Sequence, residues 1–284
     1  MKIYNWQRVL CIALMSAALL GWPGAARAGD TDLDGIDDAQ ETGTPATPLQ
    51  FHGVTYPPCV GVPSTQALRN ACLSPTSKDI CIYLVTAPGG GFLAANGLLA
   101  PEVLFQFITA PNTPTTTGKV AGLGVGVHVA VVTADVLSAN RGVGTLGEKA
   151  VRISSDESPN SFVFGVTDEG TPINTGNATV FPVTIKNYVV NGGGTQADWT
   201  KFIQRTFSHE LSHAAALTAQ YNANYGGNHY PTGSGVVMDQ SVVYNSKRKT
   251  FTIYSDYASG DTPCLLQVNT ANPLQCIGLP LPIF

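Results

Sequence analysis

Charge is scarce in this chain. Only 12% of its 284 residues are Asp, Glu, Lys or Arg, and 15 basic against 19 acidic residues leave a net charge of −4. That balance excludes the basic surface on which nucleic-acid binding rests, and it offers no polybasic anchor for an anionic membrane. Long apolar runs are also absent after the N-terminus. The most apolar later stretch, Val120–Val136, is interrupted by three glycines, His128 and Asp135, which suits a buried strand rather than a lipid-facing helix. No internal repeat is visible. Histidine is rare, with five in the whole chain.

The one sustained apolar run lies at the start. Lys2 and Arg8 precede Val9–Gly21, and Ala26-Arg27-Ala28 follows as a small-x-small sequence. This is the pattern of a secretory signal peptide cut after Ala28, and it implies a secreted or periplasmic protein. Cysteine usage agrees with an oxidising compartment. Cys11 would leave with the leader, and Cys59, Cys72, Cys81, Cys264 and Cys276 remain. Cys59–Cys72 and Cys264–Cys276 would each close a short loop, while Cys81 lies in the apolar run CIYLV, where a thiol packs as a small hydrophobe.

Three regions follow from composition. Residues 1–28 form the leader, 29–48 an acidic segment with a Thr/Pro-rich linker, and 49–284 one larger domain. Cys81–Thr86, Val120–Thr133, Phe162–Val166 and Val180–Val190 read as strands, with Pro182 suggesting that the last is an edge. Pro101–Ala110 reads as a short helix, as does part of Leu137–Val151. The clearest helix starts near Thr195, where Thr195 and Asp198 form a capping-box-like pair, and runs without Gly or Pro towards Tyr221. Strands ahead of a long helix predict an α+β fold, a mixed sheet with helices against it.

That helix carries His209-Glu210-Leu211-Ser212-His213. Residues four apart on a helix lie one turn apart on the same face, so two imidazoles can grip one ion. Glu210 stands beside them, placed to polarise a metal-bound water and move its proton. Zinc suits such a site and brings that water's pKa towards about 7. Catalytic zinc commonly takes three protein ligands, so one more is needed. No Glu occurs after Glu210, and His229 is the only later histidine. His229 is therefore the favoured third ligand, with Asp239, Asp256 and Asp261 as alternatives.

HELSH, then His229 in GGNHYP and Met238 in GVVMDQ, resembles the zincin superfamily of metallopeptidases, and within it the metzincin branch. The match spans residues 209 to about 240 only. Ala216 and Ala219 stand where that branch places a Gly and its third His, so His229 would return after an insertion, as in leishmanolysin-like peptidases. The resemblance implies a zincin-like mixed sheet, a zinc site of His209, His213 and His229, Glu210 as general base and Met238 as a Met-turn beneath the site. It also implies an edge strand that pairs with a peptide substrate, for which Val180–Val190 is the candidate. Tyr230 and Tyr244 are candidates for stabilising an oxyanion. The expected activity is metalloendopeptidase action on protein or peptide substrates. The alternative is an exported, non-catalytic metal-binding adhesion protein, which would have no use for Glu210.

Asp30, Asp32, Asp34, Ile36, Asp38 and Glu41 fall at the ligand positions of an EF-hand-like loop, with Gly35 at the sharp turn. The segment is similar to the DxDxDGxxD stretches of thrombospondin type 3-like and dockerin-like modules. That resemblance implies a structural calcium site.

Overall fold

A computed structural model describes residues 29, 31–32, 36, 38–43, 49–51, 54–86, 90–115, 118–132, 151–155, 162–167, 177–214, 229–230 and 232–258. The leader, Cys264 and Cys276, and the expected helix within 137–151 up to residue 150 lie outside the described residues.

Seven helices and eleven strands are described. The helices are α1 (Asp38–Thr42), α2 (Gln66–Ala71), α3 (Gly90–Ala95), α4 (Pro101–Leu104), α5 (Gln106–Thr109), α6 (Pro182–Asn191) and α7 (Gln196–Ala214). The strands are β1 (Leu49–Phe51), β2 (Val54–Tyr56), β3 (Asp79–Val85), β4 (Lys119–Val120), β5 (Gly126–Val132), β6 (Val151–Ser155), β7 (Gly165–Thr167), β8 (Asn177–Val180), β9 (Val243–Asn245), β10 (Thr250–Thr252) and β11 (Tyr257–Ala258). Helices and strands are both substantial, as an α+β composition requires.

The organising element is a five-stranded sheet ordered β5-β3-β6-β8-β7. Its first four strands are parallel, and β7 pairs antiparallel with β8 as one edge. Strand β3 is buried along its whole length, which explains why DICIYLV shows no alternation: both faces are covered. One face packs Ile80, Ile82 and Leu84 into the main core with Phe105, Phe202 and Phe207. The other packs Cys81, Tyr83 and Val85 with Tyr56, Leu73, Ala130 and Ile36. Ile36 is fully buried there, so the acidic segment reaches this second face of the sheet.

The expected strand over 120–133 is broken into β4 and β5. At Gly122 any side chain would overlap Ala110, and Gly124 has φ +69°, so the chain turns between the two strands. The expected edge strand Val180–Val190 is corrected more fundamentally. Only Val180 belongs to a strand, and Pro182 opens helix α6 at its first turn. Proline there loses no hydrogen bond and comes with a helical φ. Pro182, Ile185 and Val189 are the buried residues of α6, at helical rather than alternating spacing. The antiparallel edge of the sheet is β7, overlapping the end of the expected 162–166 strand.

Cys59 and Cys72 form a disulfide, with Cα atoms 4.9 Å apart, that pins the loop ahead of α2. Cys81 is a buried thiol in β3. No described helix is long and apolar enough to cross a membrane.

Candidate metal centre

Helix α7 starts where the sequence placed it. The Asp198 carboxylate accepts from the Thr195 amide at 2.8 Å, and the Asp198 amide donates back to the Thr195 hydroxyl at 3.3 Å. From Phe202 to His213 every residue is buried, polar ones included. A helix enclosed on all sides is costly for polar groups unless each finds a partner. Gln204 pairs with Gln106 and the Val103 carbonyl, Thr206 donates to the Phe202 carbonyl, and other partners come from the C-terminal part of the described chain. Tyr257, fully buried, meets the Ser212 hydroxyl at 3.0 Å and donates to the Ser208 carbonyl at 3.4 Å. Arg205 donates to the carbonyl of Asp239. Burial pulls the Arg205 pKa down to about 10, against the opposing pull of Asp239, Glu210 and Tyr257.

His209 and His213 bring their Nε2 atoms within 3.0 Å of each other. His229 completes the group, its Nε2 lying 3.1 Å from both. Three such close ring nitrogens cannot all hold protons, and the surroundings of His209 and His213 favour neutral rings. Burial, Arg205 and the neighbouring imidazoles hold His209 well below its ordinary value, and burial with His229 and Arg205 pulls His213 down to about 3. His209 donates from Nδ1 to the Val237 carbonyl at 2.9 Å, so its Nε2 presents a lone pair to the cluster. Three imidazoles around a tetrahedral ion at 2.0–2.1 Å would have nitrogens about 3.3 Å apart. The observed spacing is close to that, and the donor set suits a borderline-soft divalent metal. His209, His213 and His229 thus form a cluster that could hold a metal ion. It is the one such group of three metal-ligating side chains found among the described residues.

The loop that supports this cluster is built around Asp239. Its carboxylate accepts from the amides of Gly233, Gly235 and Val236 at 3.0, 3.1 and 3.3 Å. Burial raises the Asp239 carboxyl's pKa, against the pull of those amides and Arg205. These bonds fold residues 233–239 into a tight turn that aims the Val237 carbonyl at His209. The Tyr230 amide donates to the Met238 carbonyl at 3.0 Å and the Tyr230 carbonyl accepts from the Gln240 amide at 2.9 Å, which ties down the backbone next to His229. Met238 is fully buried in this same turn. Asp239 is therefore a scaffold of the loop; its carboxylate is committed to three amides. We expect Asp239→Ala to lower unfolding stability by about 3 kcal/mol, because the amides of Gly233, Gly235 and Val236 lose their acceptor and buried Arg205 loses one of its negative neighbours. Metal affinity should fall roughly 10- to 100-fold through the loosened His209. Denaturant unfolding and metal titration of the same variant check both.

The Glu210 carboxylate packs against β7. Thr167 donates to Glu210 Oε2 at 2.6 Å, and Gly165 lies against the carboxylate. Sequence reasoning missed Gly165, Thr167, Arg205 and Tyr257, since each acts through a contact distant in the chain. Asp239 was visible only as an alternative ligand.

Other expected residues lie elsewhere. Tyr244 is exposed; it donates to the Gly192 carbonyl and stacks on Phe251, at the opposite end of α7 from the histidines. An oxyanion role there is corrected. Tyr230 is half-buried beside His229. The Asp256 carbonyl accepts from the Val237 amide at 2.7 Å, and Asp261 lies outside the described residues. His128, mid-strand, is a satisfied core histidine held by Asp79 and the Asn70 carbonyl at 2.8 and 3.1 Å. Of the calcium-loop residues, Asp30, Asp34 and Gly35 lie outside the described residues. Ile36 and Glu41 are buried, Asp32 is half-buried, and Asp38 accepts from the amide and hydroxyl of Thr31, each at 2.8 Å.

Comparison with known proteins gave no match to a family model, a curated protein or a solved structure.

Proposed function

We propose that the chain is a zinc metallopeptidase of zincin type, acting on proteins or peptides outside the cytoplasm. The observation that carries this reading is the convergence of three imidazole Nε2 atoms within 3.1 Å of one another, with Glu210 between two of those histidines on one helix. His209, His213 and His229 would hold the zinc. A zinc ion bound by three neutral imidazoles acidifies a water and polarises a carbonyl.

The chain's own residues supply the remainder. Glu210 receives the proton of the attacking water and delivers it to the leaving amine. Val237 and Asp239 keep His209 in the tautomer that leaves its Nε2 lone pair available. Strand β7 presents an edge to which an extended peptide can add through main-chain hydrogen bonds, and it runs beside Glu210. A binding protein that used the metal only structurally would need no carboxylate at this position, so Glu210 favours the enzyme. A casein digest by the whole chain tests the proposal: hydrolysis should stop on chelation and return with added zinc. Undiminished digestion in chelator would sink it.

A further inference from the structure

Glu210 is only 5% exposed, although a general base must face its substrate. Its carboxylate lies against edge strand β7, and two residues of that strand are shaped around it. At Gly165, a Cβ would overlap Oε1 and stand 2.8 Å from both Cδ and Cγ of Glu210. No residue other than glycine leaves room there without moving the carboxylate. Thr167 lies two positions on and so on the same face of the strand. Its hydroxyl donates to Glu210 Oε2 at 2.6 Å and approaches the Glu210 carbonyl at 3.2 Å. Val166, between them, turns outward and is half exposed. The residue just before the strand is anchored on both sides: the Phe164 ring packs on Phe202 of α7 at 4.9 Å between centroids, and its carbonyl accepts from the Phe181 amide, just after β8, at 2.9 Å.

We propose that Gly165 and Thr167 are positioning residues for Glu210: β7 offers a gap for the carboxylate at one residue and a donor for it at the next residue on that face. This rests on the peptidase reading, since it assigns the pair a part in orienting the base. A charge-assisted hydrogen bond held in one geometry removes the freedom of a flexible Glu side chain to leave its working rotamer. Because the same strand is the sheet's edge, base and substrate-binding edge are fixed in one frame.

The test uses the whole chain and two independent readouts. In metal-free protein, a double-mutant cycle of Thr167→Val and Glu210→Ala measures the contact through unfolding. We expect a coupling that changes the unfolding equilibrium constant roughly tenfold or more. In zinc-loaded protein with a fluorogenic peptide, Thr167→Val should lower kcat roughly 10- to 100-fold with KM and zinc content unchanged. Thr167→Ser keeps the hydroxyl and should recover kcat to within a few-fold, as a rough expectation for a retained bond. Gly165→Ala should displace the carboxylate and lower kcat at least as far. Absence of coupling in an active enzyme overturns the positioning role alone, as does wild-type kcat in Thr167→Val. Coupling in a chain that hydrolyses no peptide overturns the peptidase reading, and the catalytic purpose of the contact with it.

Discussion

Replacing Glu210 with glutamine is expected to leave the zinc in place and to reduce peptide hydrolysis by at least 10²- to 10⁴-fold, the usual worth of a positioned base. Glutamine keeps the volume of the side chain and still accepts from Thr167, so the fit against Gly165 and the helix packing should survive. It cannot take a proton at neutral pH. The three histidines are untouched, and metal content per chain should equal that of the parent. Kinetics and metal analysis of one preparation separate the two effects. The loss should appear in kcat and in kcat/KM alike, since the missing interaction belongs to the transition state. A variant that hydrolysed casein at the parental rate would remove Glu210 from the chemistry and leave the histidine cluster as a structural site.

The site was legible in the sequence where its geometry is local. His209 and His213 are four apart on a helix whose start is written in Thr195 and Asp198, so their shared face follows from the helical repeat. The mixed sheet was legible too, and so was the strand expected at 81–86, found at 79–85, because CIYLV is apolar at every position. Legibility ended where two periods compete over a short run. VFPVTIKNYVV contains enough β-branched residues to look like a strand, yet Pro182, Ile185 and Val189 are spaced for a helix, and burial against α7 decided the matter. The support of the site was invisible for a different reason. Gly165 and Thr167 reach Glu210 across more than 40 residues of chain, a separation of 43 for Thr167, and nothing in the local pattern marks either. Asp239 showed its chemistry, a carboxylate near the third ligand, but not its orientation. Three amides of its own loop claim it, a local arrangement that composition does not announce.

That orientation sets up the sharpest test of the ligand set. His229→Ala should weaken zinc binding by more than the roughly 10- to 100-fold that loss of an outer partner costs, and should abolish hydrolysis. Removing a ligand takes away a bond to the ion, whereas Asp239 acts on the cluster only through Val237 and His209. His229 is half-buried, so its truncation empties no fully buried position and unfolding stability of the metal-free chain should change little. The two variants therefore diverge. Asp239→Ala should lose stability first and affinity moderately; His229→Ala should lose affinity first and stability hardly at all. Competition against a chromogenic chelator gives the affinities, and denaturant unfolding of the metal-free proteins gives the stabilities. If His229→Ala bound zinc as the parent does while Asp239→Ala released it, the aspartate would be the ligand after all. The three-amide cradle would then have to open when the metal enters. The observed geometry argues against that, because the Nε2 of His229 already stands 3.1 Å from both partners while the Asp239 carboxylate is engaged by its own loop.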